Sequence, residues 1–339
     1  MTDRRPDVRR VTFGFLVAGI LLCILLYVVG IGDVVTALRT ADVTLLAGVV
    51  VAVAAWVGVW TGSLHLVFRS FDVPSTPSRS VAVFTTMMFW DNVTPFSTIA
   101  ADPLAAWTVS RSTDVAYEKA LAVVVTVDTL NFAPSPVLAF LALLYVQLTV
   151  SLAAPTEAVL RRLAGVLVGL LVVASLAWRY RRLLVTVGIH VATVLGSALG
   201  RIMPGMDQSA GATVHRRVDA LVSHGETIAA DPRTLIEVLL LATTGWLLLS
   251  TVFWLSMRAV GAPVPLVLAI LLIPLATVAE LAPIPGGVGG VEPVAVALLV
   301  ALTAVPAPDA TAGVLVFRAA TYWLPTLVGG AVMPVVSRR

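Results

Sequence analysis

The stretch PIPGGVGGVE, Pro283 to Glu292, interrupts an otherwise apolar run from about Leu266 to Val305. Pro283 and Pro285 lack the N–H that would continue a helix. Gly286, Gly287, Gly289 and Gly290 open backbone angles closed to other residues. Glu292 then stands at the start of the next helix, where the dipole favours a carboxylate and free N–H groups can hold a phosphate. Glu280 precedes the break in an equally apolar setting. One reading is a tight turn between two spans, with Glu292 an ordinary N-terminal acid. The other is unwound backbone flanked by two carboxylates, which at membrane depth must be paired or wet.

That the setting is a membrane follows from composition. Of 339 residues, 59% are hydrophobic and only 12% charged. The mean hydropathy is +0.99. A soluble domain of this length carries about twice that charge, and several apolar runs reach the roughly 20 residues needed to cross a bilayer core. The chain reads as an all-α polytopic membrane protein of the cell membrane, a single transmembrane domain over residues 1–339 with no room for a large soluble catalytic part. The net charge of +3 is carried by 21 Arg and one Lys, clustered at loops. That pattern suits membrane orientation, not nucleic acid. The single cysteine, Cys23, cannot form an intrachain disulfide, and the four scattered histidines offer no metal spacing. The N-terminal arginines before an apolar stretch imitate a signal peptide, but the stretch is long and lacks an obvious cleavage site, so it reads as a retained span.

Spans are expected at about Val11–Ile31 and Val43–Phe68, then a long crossing at Tyr117–Leu148 bent near Pro134 and Pro136. Further spans fall at about Leu160–Trp178, Leu235–Met257 and Ala312–Val336. Two segments break this pattern. Val81–Trp107 consists of apolar pieces too short to cross, separated by Asp91, Asn92, Pro95 and Asp102. Val264–Val305 contains the glycine turn and reads either as a re-entrant hairpin or as two thin spans. Residues 11–178 and 234–336 thus form two halves with one broken segment each, around a polar 179–233 region of cytoplasmic or interfacial helices. Leu183–Leu199 in that region either spans the membrane or lies on it. The arrangement fits an inverted repeat, and the positive-inside rule puts both termini in the cytoplasm. A pair of interrupted segments in corresponding positions is the sequence pointer to a transporter's midplane site.

Candidate transport residues follow from this. In the first half they are Asn92, Pro95, Asp102 and Asp128. Asp128 and Asn131 stand about one helical turn apart and share a face, which equally suits a buried contact between helices. In the second half they are Glu280, Pro285, Gly286, Gly287, Gly289, Glu292, Arg318 and Tyr322. Arg318 either snorkels to the interface, pairs with Glu292 or Glu280, or grips a lipid phosphate with its planar fork. Tyr322 and Trp323 read as interface anchors or as cavity lining. His65 reads as a packing residue. No P-loop, GxSxG, HExxH or paired-Cys motif appears. No catalytic residue, metal or cofactor is therefore expected.

These motifs resemble a known family. PIPGGVGGVE, followed by FRAATYWLP from Phe317, resembles the signature of the lysylphosphatidylglycerol synthase transmembrane-region family, the flippase half of the multiple peptide resistance factors. DNVTPFSTIAADPLAAWTVSRS, followed by YEKALAVVVTVDTLN, resembles that family's first broken region. The resemblance runs over roughly 11–336. It implies a lipid-translocating bundle with re-entrant helices around a lateral cavity. Asn92, Pro95 and Asp102 take the place of the family's N…P…G-E element. Pro285, Gly286, Gly287 and Glu292 take the place of its P-G-G…E element, and Arg318 that of the Arg before its final aromatic pair. Ala100–Ala101 replaces the usual glycine, and Asp102 a Glu. With no aminoacyl-transferase domain, the chain is expected to handle a phospholipid or polyprenyl-phosphate-linked lipid, not to make one. The rival expectation is a non-transporting scaffold for a lipid-modifying enzyme or glycosyltransferase, acting through 179–233. Convergence of Asp102, Glu292 and Arg318 on one cavity would favour transport.

Overall fold

The computed structural model describes residues 8–94, 97–149, 164–165, 169, 231–281 and 284–337. Among them the chain is helical throughout and contains no strand. The helices are α1 (Val8–Val29), α2 (Ile31–Arg39), α3 (Val43–Ser70), α4 (Pro77–Val93), α5 (Ser97–Thr113), α6 (Tyr117–Phe132) and α7 (Pro134–Thr149). The second half adds α8 (Pro232–Ala259), α9 (Leu266–Thr277), α10 (Val291–Leu302), α11 (Ala307–Arg318) and α12 (Leu324–Ser337).

The central pair is α3 and α8, each of 28 residues and apolar enough to cross a membrane. Asp42 caps α3 by accepting from the N–H groups of Thr44 and Leu45 at 2.7 and 3.1 Å. Its own N–H donates to Ala259 O at 2.8 Å, which ties the start of α3 to the end of α8. The two helices therefore run antiparallel, with Gly48 against Leu255 and Gly62 against Leu241. Small residues let the backbones approach. At Gly245 the approach is closest, since a Cβ there would lie 1.8 Å from Trp60 Nε1. The lipid-facing side of α3 stays apolar and open, with Val43, Val50 and Val51 exposed.

The first expected span ends in a corner. Gly30, at φ 98°, separates α1 from α2, and the two helices meet at 89°. A second helix thus follows directly in the interval between the first two expected spans. It buries Val34 and Ala37, which join the core. The long crossing at 117–149 is resolved into α6 and α7 at Ala133, beside the expected prolines.

Both broken segments are present as pairs of short helices. α4 and α5 follow one another in the chain and pack together. Each has 17 residues, or about 25 Å, short of the roughly 30 Å core. Thr76 caps α4 and Pro77 occupies its first turn. In the second half, α9 and α10 have 12 residues each, about 18 Å. The 3₁₀ turns at Val278–Leu281 and Pro285–Gly287 lie between them. Pro265 before α9 and Thr303 after α10 line the same surface hollow, so the segment returns to the end at which it entered. Pro285–Leu302 has the length and hydropathy of a span, but its first turn is the 3₁₀ piece Pro285–Gly287 and the α-helix begins only at Val291. A last continuous helix runs from α11 through a π-helical turn at Ala319–Trp323 into α12. Apart from 164–165 and 169, the expected span at 160–178 lies outside the described residues, as do the 183–199 helix and the helices near 212–230.

Candidate functional site

The site is assembled around Arg318, at the end of α11. The residue is 6% exposed, so it does not snorkel. Its Nε donates to Glu292 Oε1 at 2.9 Å, and its Nη2 donates to Gly286 O at 2.7 Å. Its Nη1 lies 3.9 Å from Glu280 Oε1. Glu292, 3% exposed, accepts with its other oxygen from Gly289 N–H at 2.7 Å. The break in the chain therefore supplies both a carbonyl and an N–H to one buried ion pair.

Glycine is required where this turn rests on its neighbours. Gly286 has φ 52°, and a Cβ there would come within 2.2 Å of Tyr322 Cε2. Tyr322 is fully buried. Its ring stacks under the Arg318 guanidinium, 4.7 Å from ring centroid to Cζ, an arrangement with cation–π character. Its hydroxyl donates to Asn92 O at 2.9 Å. Asn92 Nδ2 returns to Tyr322 O and to Thr326 Oγ1, at 3.3 and 2.8 Å. The π turn at 319–323 thus joins the C-terminal end of α4, within the first broken region, to the glycine turn of the second. Insertions of this kind re-aim side chains within a helix.

Beside Arg318 lies a cavity of about 130 Å³. One wall is acidic, with Asp91 from α4, Asp128 from α6 and Glu280. Asp102 shares a side-chain hydrogen bond with Asp128, while Asp102 Oδ1 is buried without a partner. Another part of the lining is aromatic, with Trp56, Trp60, Phe132 and Trp246. Trp56 and Trp60 pack edge to face at 5.3 Å, Trp60 and Trp246 at 5.9 Å, and Phe132 and Trp246 at 5.6 Å. Asn131 braces this wall: its Oδ1 accepts from Ser63 Oγ at 2.8 Å and its carbonyl from Trp246 Nε1 at 2.7 Å.

Arg318, Asn92, Asp128 and Glu280 thus line one cavity. Glu292, Tyr322 and the turn Pro285–Gly289 stand behind Arg318 as its support. Asp102 reaches the cavity only through Asp128. Pro95 lies outside the described residues. His65 packs on α4, its Nδ1 at 3.0 Å from Ser80 Oγ. Sequence reasoning passed over Asp91 and the tryptophans as site residues. Trp56 and Trp60 did carry a signal, since a four-residue spacing places both on one helical face.

A family model described as the lysylphosphatidylglycerol synthase TM region matches residues 11–329. The chain belongs to this family. The match takes in both broken segments and Arg318. A UPF0104 membrane protein of Methanothermobacter thermautotrophicus (strain Delta H) is 24% identical over 331 residues, which cover 96% of this chain and 93% of that protein. With its apolar helices, the chain is a multi-pass membrane protein of the lysylphosphatidylglycerol synthase transmembrane-region family.

Proposed function

We infer that this protein is a lipid translocase, a flippase or scramblase, for a phospholipid or polyprenyl-phosphate-linked lipid of the cell membrane. The observation that carries the reading is the meeting of four polar side chains, Asp91, Asp128, Glu280 and Arg318, on one cavity inside an apolar bundle. Ionisable groups in such a place are costly and mark substrate or ion pathways. Interrupted helices around them are the construction expected of an alternating-access site. In this reading the polar head passes through the cavity while the acyl or prenyl tails stay in lipid. The left-handed glycines of the turn let the backbone rearrange around the passing head. The positive-inside rule orients both termini to the cytoplasm.

The test is translocation of head-labelled lipids in proteoliposomes, read with a leaflet-specific quencher. Wild-type protein is expected to move at least one phosphate-containing lipid, and Asp128→Asn and Glu280→Gln to slow that movement at least tenfold. If the wild type moves none of a broad panel, the reading fails. Co-purification with a lipid-modifying enzyme or glycosyltransferase would then point to the scaffold.

A further inference from the structure

One helix of the fold serves two parts of the bundle. α11 and α12 are continuous through the π turn at Ala319–Trp323, yet their partners differ. Among the described residues α11 packs chiefly on α2, α8 and α10, and α12 on α4 and α5. Each limb is held close by a glycine. A Cβ on Gly313 of α11 would lie 2.3 Å from Met257 Sδ and 3.3 Å from Met257 Cα, on α8. A Cβ on Gly329 of α12 would lie 2.0 Å from Thr85 O, on α4. Polar contacts add to both. Arg318, the last residue of α11, is bonded to Glu292 and to Gly286 O in the second break. Asn92, near the end of α4, donates to Tyr322 O and to Thr326 Oγ1. The π turn is what lies between a limb fixed to one body and a limb fixed to another.

The sequence explains why the helix widens at that point. Pro325 stands four residues after Thr321, so in an α-helix its ring would meet the Thr321 carbonyl and leave it without its N–H. The Leu324 N–H instead reaches back five residues to Ala319 O, and the Thr321 hydroxyl donates to Phe317 O at 2.8 Å. Sharp bends in helices fall at prolines and π turns, and hinges are a few element-terminal residues that absorb the change in backbone angles. We propose that the π turn is a hinge on which α12, with α4 and α5, swings as one body against α3, α8, α11 and the glycine turn. The cavity is lined by both bodies. Met87 and Asp91 come to it from α4, and Trp56, Trp246 and Arg318 from α3, α8 and α11. A swing at the turn therefore changes the distance between Asp91 and Arg318, and with it the width of the cavity. Val335 lies about 18 Å along α12 from the turn, so a bend of about 20° carries it about 6 Å. That the swing passes a lipid head through the membrane rests on the translocase reading; the hinge does not.

The experiment measures distances between pairs of spin labels in the full-length protein in lipid nanodiscs, with the one cysteine, Cys23, replaced by Ser. The labels go on exposed positions. Val335 with Ile236 reads α12 against α8, across the hinge. Val81 with Leu327 reads α4 against α12, and Val50 with Ile236 reads α3 against α8, each within one body. The Val335–Ile236 distances are expected to spread over about 6 Å more than those of either control pair. Pro325→Ala restores an N–H to the Thr321 carbonyl and lets the turn close into α-helix. It should narrow that spread to the width of the controls and slow lipid translocation at least tenfold, whereas loss of a merely structural proline would leave the spread unchanged or broaden it. Should Pro325→Ala fail to fold, Tyr322→Phe carries the test. It frees Asn92 O from the turn and should broaden the Val335–Ile236 distances while both control pairs stay as they are. A Val335–Ile236 pair as narrow as the controls in the otherwise unaltered protein overturns the inference, and so does a Val81–Leu327 pair as broad as Val335–Ile236. A moving hinge in a protein that translocates no lipid of a broad panel sinks the translocase reading alone. Translocation with uniformly narrow distances sinks the hinge alone.

Discussion

Replacing Glu292 by Gln tests the support of the site before any question of transport. Glu292 uses both carboxylate oxygens, one on Arg318 Nε at 2.9 Å and one on Gly289 N–H at 2.7 Å. A glutamine has a single acceptor oxygen, so its NH₂ must face one of those two donors. Arg318 is left with Gly286 O and with Glu280 at 3.9 Å. Removing one member of a buried ion pair costs about 3–5 kcal/mol, because the remaining charge is uncompensated. The retained contacts place Glu292→Gln at the lower end, about 3 kcal/mol, which is roughly a 150-fold fall in the folded-to-unfolded ratio. Adding Arg318→Gln removes the orphaned charge and is expected to recover all but about 1 kcal/mol. Unfolding of wild type, single and double variants in mixed detergent–SDS micelles reads these differences. If Glu292→Gln is as stable as wild type, or the double variant is no better than the single one, the pair does not hold the turn and the reasoning is wrong.

Three further outcomes follow from single contacts. Gly329→Ala would put a Cβ 2.0 Å from Thr85 O, a backbone atom that cannot step aside. It should cost about 1–3 kcal/mol by forcing α12 from α4, whereas Gly62→Ala, with Leu241 at 3.5 Å, should leave the melting temperature unchanged. Tyr322→Phe keeps the ring under Arg318 but loses the 2.9 Å bond to Asn92 O. A loss of about 1 kcal/mol is expected, with faster amide exchange at the C-terminal end of α4; unchanged exchange there would show that the contact does not pin it. At the start of α8, Asp231 is held below the ordinary aspartate value by the Thr234 hydroxyl first and then by the N–H groups of Thr234 and Arg233. A lowered value in the folded state means that the cap stabilises above the unfolded-state pKa and stops doing so as pH falls through the folded-state one. The gap in melting temperature between wild type and Asp231→Ala should therefore close on acidification, and a gap that widens would refute the assignment.

The membrane setting, the long helices and both breaks were legible because each is written locally. Apolar runs of span length, proline, and clustered glycine act on the backbone where they stand. The corner at Gly30 was hidden within a continuous apolar run, and only its positive φ sets it apart. The site was legible in part. Glu280, Glu292 and Arg318 stand out as charges in apolar sequence, and their pairing was among the open alternatives. The aromatic lining was not legible, because it is made across the chain: Trp60 meets the backbone at Ala242, and Trp246 meets it at Asn131. Asp91 lay in the quoted motif but carried no role until the fold brought it onto one cavity with Asp128 and Glu280.

Two acids flank the glycine turn, and the structure gives them different work. Glu292 is 4% exposed in its side chain and bonded through both oxygens; Glu280 is 27% exposed, 3.9 Å from the guanidinium, and faces the cavity. The shorter and drier contact decides which acid fixes Arg318, and that acid is Glu292. Its partner oxygen would be unsatisfied beside an intact helix, whose N–H groups are spent within it. A broken one leaves Gly289 N–H free to donate, and leaves Gly286 O free to accept from the same arginine. Irregular backbone at membrane depth is tolerated only where protein or water satisfies it, and here the ion pair does so on both sides. The helix is therefore broken because a buried Arg–Glu pair and an unwound turn complete one another's hydrogen bonds. Glu280 and Asp128 remain on the cavity side, with no share in the turn's hydrogen bonds.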